Sequence, residues 1–117
     1  MPKFIIKVDR DRDHYVEWST IVDNVCADGT RAEMLARLSR DERAGGEPPE
    51  ARLRRADETG TSAMFWSPPY QGSWEDEELM VEQRGMLARS DLRAYVDAYL
   101  DGDHDTAYAL LRPFEDD

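Results

Sequence analysis

Three aspartates stand at alternate positions in "LDGDHDTAYALL", residues 100–111: Asp101, Asp103 and Asp105, with His104 between the last two. This is the opening spacing of an EF-hand calcium loop, which reads D-x-[DN]-x-[DN]-G and closes on a bidentate Glu at its twelfth position. Counted from Asp101, the sixth position holds Thr106 where the sharp turn needs Gly, and the twelfth holds Arg112 where calcium needs a carboxylate. A helix corner suits the residues better. Gly102 falls just past a periodic apolar run, where a left-handed C′ residue favours glycine. Asp103 is then placed to cap a second helix, and Asp105 sits in its first turn, where the helix dipole favours negative charge. His104 beside these carboxylates is a single imidazole, a thin basis for a transition-metal site. We therefore expect a turn here, with no metal and no cofactor.

Other reactive side chains are few. Cys26 is the only cysteine, which excludes an internal disulfide and a multi-cysteine zinc site and fits a buried thiol in a reducing compartment. A nucleophile would need Cys26 to meet His14 or His104, and no surrounding signature supports that. No G-x-S-x-G, H-E-x-x-H, Walker or dinucleotide fingerprint is present. "WEDEEL" at 74–79 sets Glu75, Asp76, Glu77 and Glu78 in a row. Paired acids divide catalytic roles only where their environments differ, and consecutive loop acids are ordinarily all solvated. No catalytic residue is assigned.

"FWSPPYQGSW" at 65–74 is the more informative stretch. Phe65, Trp66, Tyr70 and Trp74 lie on a loop stiffened by two prolines. Rigid aromatics on loops bury large area at low entropic cost and so make binding hot spots. The alternative is that Trp66 and Trp74 fold back to roof a sheet. The expected partner-binding residues are these four aromatics together with Glu75, Asp76, Glu77 and Glu78.

The charge balance points the same way. The 117 residues carry a formal net charge of −11. Residues 1–60 hold 13 acids and 11 bases, a net of −2, whereas residues 61–117 hold 13 acids and 4 bases, a net of −9. A negative half repels phosphate backbones and anionic lipid, so direct nucleic-acid or membrane binding is disfavoured, and a basic protein surface is favoured. "RLRR" at 52–55, the one basic cluster, is expected to pair with the chain's own acids. Thirteen of the fifteen bases are Arg, a usage typical of GC-rich coding. The start, "MPKFIIKVDRD", has too short an apolar run for a signal peptide or a membrane span, and a cytoplasmic location is expected.

These residues need elements to position them. Residues 3–8 and 14–21 alternate with period two and predict an antiparallel hairpin. Thr30 and Glu33 form a capping box for a helix carrying Met34, Leu35 and Leu38. Residues 41–50 are a flexible loop by their Gly and Pro content. Residues 51–58 read equally well as strand or short helix, 59–76 as a long aromatic loop, and 78–84 as a strand. Ser90 is placed to cap a helix with Leu92, Tyr95, Val96, Tyr99 and Leu100 on one face. Ala107, Leu110, Leu111 and Phe114 continue the pattern in a last helix. The whole predicts one α+β domain over 1–117: a small antiparallel sheet, made of the hairpin and one or two later strands, packed by three helices on one face. An unpaired hairpin edge makes a homodimer one way of covering it.

"YVEWST", "GTRAEML", "ADETGTSA" and "AYALLRPFED" together resemble small proteins found in actinobacterial genomes and their phages. The resemblance implies an accessory protein of a GC-rich host or phage, and it carries over no catalytic residues. The leading expectation is a small acidic binding protein, in its sharpest form a phage-type inhibitor or a mimic of nucleic-acid charge. The alternative is a small enzyme or ligand-binding domain with a pocket between sheet and helices, lined by His14, Tyr15, Glu17 and Glu82.

Overall fold

The computed structural model describes residues 3–19, 23–40, 48–62, 72–82 and 84–113. Within them the chain runs β1 (Lys3–Lys7), β2 (Tyr15–Ser19), β3 (Asn24–Gly29), α1 (Arg31–Arg40), α2 (Pro49–Thr59), β4 (Glu78–Val81), β5 (Gly85–Ala88), a 3₁₀ turn (Arg89–Asp91), α3 (Leu92–Leu100), α4 (His104–Ala109) and β6 (Arg112–Pro113). It is an α+β fold with two three-stranded antiparallel sheets, ordered β1-β2-β3 and β4-β5-β6.

The expected hairpin forms the first sheet, with Ile5 opposite Glu17 and Phe4 opposite Trp18. A third strand joins it. β3 pairs with β2 across a register shift: Glu17 faces Ala27 while Trp18 faces Val25, which leaves Cys26 as the extra residue of a bulge. Alternation along β2 sends Val16 and Trp18 to one face and Tyr15, Glu17 and Ser19 to the other. All five are buried, because both faces of this sheet are covered.

On one face Ile5 and Tyr15 pack against Met34 and Leu38 of α1 and Leu53 and Ala56 of α2. On the other, Phe4, Ile6, Val8, Val16, Trp18 and Val25 meet Leu79, Val81 and Leu87 of the second sheet and Leu92, Tyr95, Val96 and Ala107 of α3 and α4. The helices are thus shared between two faces where one was expected, and residues 51–58 resolve as helix. Each fully buried Leu or Ile contributes roughly 1.5–3 kcal/mol relative to exposure.

Local chemistry explains the ends. The Thr30 N–H donates to Glu33 Oε1 at 2.8 Å and the Glu33 N–H to Thr30 Oγ1 at 3.2 Å, closing the expected capping box. α2 begins on Pro49 and stops at Gly60, whose φ of 93° only glycine adopts without strain. Ser90 does not cap α3: it lies in the 3₁₀ turn, and Asp91 precedes the helix without a side-chain cap. The α3–α4 corner is a Schellman turn. Gly102 has φ 88°, its N–H donates to the Tyr99 carbonyl at 3.1 Å, and the Asp103 N–H donates to Ala98 at 2.9 Å. The Asp103 carboxylate accepts from the Thr106 N–H at 3.3 Å, as a cap should. The last helix ends at Ala109, short of the expected length, and the chain turns into β6. Phe114 lies outside the described residues.

Candidate functional site

Of the four loop aromatics expected to bind a partner, Phe65, Trp66 and Tyr70 lie outside the described residues. Trp74 is half-buried, and two guanidinium groups lie over its ring, Arg10 at 4.7 Å and Arg89 at 4.5 Å. Its backbone N–H donates to the Thr59 carbonyl at 2.8 Å, so this indole closes over the end of α2. Trp74 therefore packs at the end of α2. The indole Nε1 is buried and without a partner among the described residues.

Arg89 organises this region. Its guanidinium donates to the carbonyls of Lys7 (2.7 Å), Val8 (2.8 Å), Gly60 (3.3 Å), Gly72 (2.8 Å) and Ser73 (3.0 Å). Burial is the main influence on it, and lowers its pKa to about 10. The acids that follow Trp74 divide. Asp76 turns inward, its Oδ2 accepting from the N–H groups of Gly72 (3.1 Å) and Ser73 (3.3 Å). Glu78 is held by Arg112 in a forked pair with contacts of 2.8 and 3.0 Å. Glu75 and Glu77 are exposed.

A second surface, unremarked as a site in the sequence, forms at the α3–α4 corner. His104 stacks on Tyr99 with centroids 4.3 Å apart and planes 8° from parallel, and Tyr99 stacks on Tyr95 at 5.7 Å. Tyr108 packs edgewise on Tyr99 at 6.2 Å, and the Arg84 guanidinium lies 4.2 Å over the Tyr108 ring. Beneath the rings runs a polar chain. The Tyr108 hydroxyl donates to Glu82 Oε2 at 2.8 Å, Arg84 Nε donates to the same oxygen at 3.0 Å, and the Tyr95 hydroxyl donates to Asn24 Oδ1 at 2.8 Å. Burial works to raise the Glu82 pKa, but its interactions with Tyr108, Asn24 and Arg84 together leave it lowered. Asn24 is only 1% exposed, and its Nδ2 makes no hydrogen bond of ordinary geometry. Asp23 and Glu82 both have positive φ, 54° and 51°, and the Glu82 N–H donates to the Asp23 carbonyl at 3.0 Å. Left-handed backbone at two non-glycine residues stores roughly 1 kcal/mol or more each.

Around this platform Asp97, Asp101, Asp103 and Asp105 are all exposed, and Leu100 is 39% exposed among them. No Lys or Arg occurs from residue 94 to residue 111. Hydrogen bonding to Thr106 lowers the Asp103 pKa, which keeps it anionic.

A third feature is an open cleft of about 360 Å³ lined by Lys3, Glu17, Arg37 and Arg40. Glu17 is 4% exposed and bonded to Lys3 (3.4 Å) and Arg37 (3.2 Å). Cys26 is half-buried, and burial is the leading cause that pushes its thiol pKa up, which leaves it a poor nucleophile. The four residues expected to line one pocket have different partners. Glu17 lines the cleft, the Tyr15 hydroxyl donates to Asp57, His14 Nε2 meets Asp28 Oδ2 at 2.7 Å, and Glu82 belongs to the α3–α4 corner.

No protein family, curated protein or solved structure matches this chain. Among the described residues no helix is long and apolar enough to cross a membrane.

Proposed function

We propose that the chain is an acidic accessory protein of the cytoplasm that binds a basic protein surface, with the α3–α4 corner as its docking face. The observation that carries this reading is the set of exposed aspartates on α3, α4 and their corner, Asp97, Asp101, Asp103 and Asp105, on the elements that carry the exposed Leu100 and the stacked Tyr99, His104 and Tyr108 rings. An apolar centre on a rigid aromatic base, with a mainly acidic border that Arg84 interrupts over Tyr108, matches the anatomy of an interface core and its polar border. The rim steers a cationic partner, and the centre supplies the desolvated contact. Its sharpest form is a mimic of nucleic-acid charge that occupies the binding face of a nucleic-acid-binding protein, as an inhibitor would. Glu75 and Glu77 extend the negative field along the chain.

The test is a titration with an arginine-rich peptide at two salt concentrations. The pair Asp101→Lys with Asp105→Lys, and separately Leu100→Ser, are compared with Glu50→Lys plus Glu58→Lys on α2 as a charge-matched control. Binding should weaken roughly tenfold in the corner variants and much less in the control. Equal losses in corner and control would mean only general charge attraction, and the docking face would be wrong.

A second reading is favoured by the cleft on the α1 face. Among the described residues that line it, three cations, Lys3, Arg37 and Arg40, accompany one carboxylate, the buried Glu17. Such a local excess of positive charge suits a small anionic ligand. Thermal shift with inorganic phosphate and with dicarboxylates, repeated on Arg40→Ala, tests it. Stabilisation that Arg40→Ala leaves intact would exclude the cleft.

A further inference from the structure

His14, Asp28 and Asp97 stand far apart in the sequence, on the end of the β1–β2 connection, on β3 and on α3. The fold brings one ligand atom of each to within 4.8 Å of the others. We propose that these three residues form a binding site for a divalent transition-metal ion.

The geometry is close to a coordinating one before any ion arrives. His14 Nε2 and Asp28 Oδ2 are 2.7 Å apart. A first-row ion with bonds of about 2.1 Å holds neighbouring ligand atoms about 3.0 Å apart in octahedral and about 3.4 Å apart in tetrahedral geometry, so the His–Asp pair must open by a few tenths of an ångström or somewhat more. Asp97 is exposed on α3, and its ligand oxygen lies within 4.8 Å of the other two ligand atoms. The other two are better held. The His14 backbone carbonyl accepts from the Val8 N–H at 3.0 Å, which closes the β1–β2 connection and fixes where the ring starts. Asp28 sits opposite Val16 in the β2–β3 ladder.

The donor set selects the class of ion. One imidazole nitrogen with two carboxylates is the borderline N/O combination that zinc, cobalt, iron and manganese accept. Calcium prefers six to eight oxygens, and magnesium keeps most of its waters, so both fit this triad poorly. Three protein ligands leave coordination positions open to water or to a group from a bound molecule. The site also differs in kind from the Asp101–Asp103–Asp105 run, where one carboxylate is committed to capping α4. An ion here would tie the β1–β2 connection and β3 to α3, and binding to the folded state alone would raise stability by mass action.

Cobalt(II) is the probe of choice, because its visible absorption reports both binding and ligand type. The intact chain, freed of metal, should take up one equivalent with a saturable visible band, and zinc should displace it. Zinc should also raise the melting temperature. Asp97→Asn removes an exposed ligand and leaves the His14–Asp28 hydrogen bond in place, so it should abolish the band while the metal-free protein melts as before. His14→Gln should do the same to the band. Asp101→Asn with Asp105→Asn should bind as the parent does. The proposal is overturned if no band and no thermal shift appear at millimolar metal. It is equally overturned if binding survives Asp97→Asn and His14→Gln together, or is lost in the Asp101/Asp105 variant instead.

Discussion

The guanidinium of Arg89 lies 4.5 Å from the centre of the Trp74 indole while it donates to the carbonyls of Lys7, Val8, Gly60, Gly72 and Ser73. One side chain thereby joins the end of β1, the end of α2 and residues 72–73 ahead of β4. A lysine carries the charge but not the planar fork, so it satisfies fewer of these oxygens and loses the stacking. Arg89→Lys should lower stability by about 3 kcal/mol, measured as a shift in the urea midpoint. An unchanged midpoint would show that the carbonyls are satisfied by water.

Two glycines with the same backbone sign should respond differently. A Cβ at Gly60 would lie 2.8 Å from the Trp74 backbone nitrogen and 2.9 Å from its ring. A Cβ at Gly102 would meet nothing within 4 Å. Both have left-handed φ, so Gly102→Ala should cost about 1 kcal/mol for conformation alone. Gly60→Ala adds a clash with backbone and should cost at least about twice that. Chemical denaturation of the two variants side by side gives the difference.

Alkaline pH should unfold the protein through its buried tyrosines. Burial is the leading cause that raises the pKa of both Tyr15 and Tyr95 well above the ordinary value near 10. Above that value the unfolded chain has lost protons that the folded chain retains, so stability is full below about pH 10 and falls as pH rises past it. Near-ultraviolet absorbance should show part of the tyrosine ionisation coinciding with loss of circular dichroism. Tyr95→Phe should lessen the fall above pH 10, although it also removes the hydroxyl from Asn24.

The α1 capping box predicts a smaller effect. Thr30→Ala leaves the Glu33 N–H without its side-chain acceptor and should cost about 1 kcal/mol. Thr30→Ser should recover most of it, which thermal melts resolve.

Much of the local structure was legible because it depends on neighbours in sequence. Phe4, Ile6 and Val8 alternate along β1, Thr30 and Glu33 close their box, and Gly102 with Asp103 turns α3 into α4. β3 was not legible. "NVCADG" holds Asn, Asp and Gly, poor strand formers, and it is a strand because β2 offers it an edge. β5 and β6 are likewise made by pairing: "GMLA" and "RP" have too few residues for a period to show. Helix α2 was ambiguous because Leu53 and Ala56 are the only buried apolar positions in a run of charges. The candidate sites divide in the same way. The row Glu75–Glu78 was visible, but nothing in it reveals that Asp76 binds backbone amides or that Glu78 belongs to Arg112.

By itself the sequence determined an α+β domain with an acidic second half, a lone cysteine, and a helix corner rather than a calcium loop at residues 101–105. These follow from composition and from periodicity over a few residues. The tertiary structure decided which side chains meet: Trp74 with Arg10 and Arg89, Tyr99 with His104 and Tyr108, and His14 with Asp28 and Asp97. Such meetings depend on packing both faces of the first sheet, an energy spread over the whole core, and no short stretch of sequence records it.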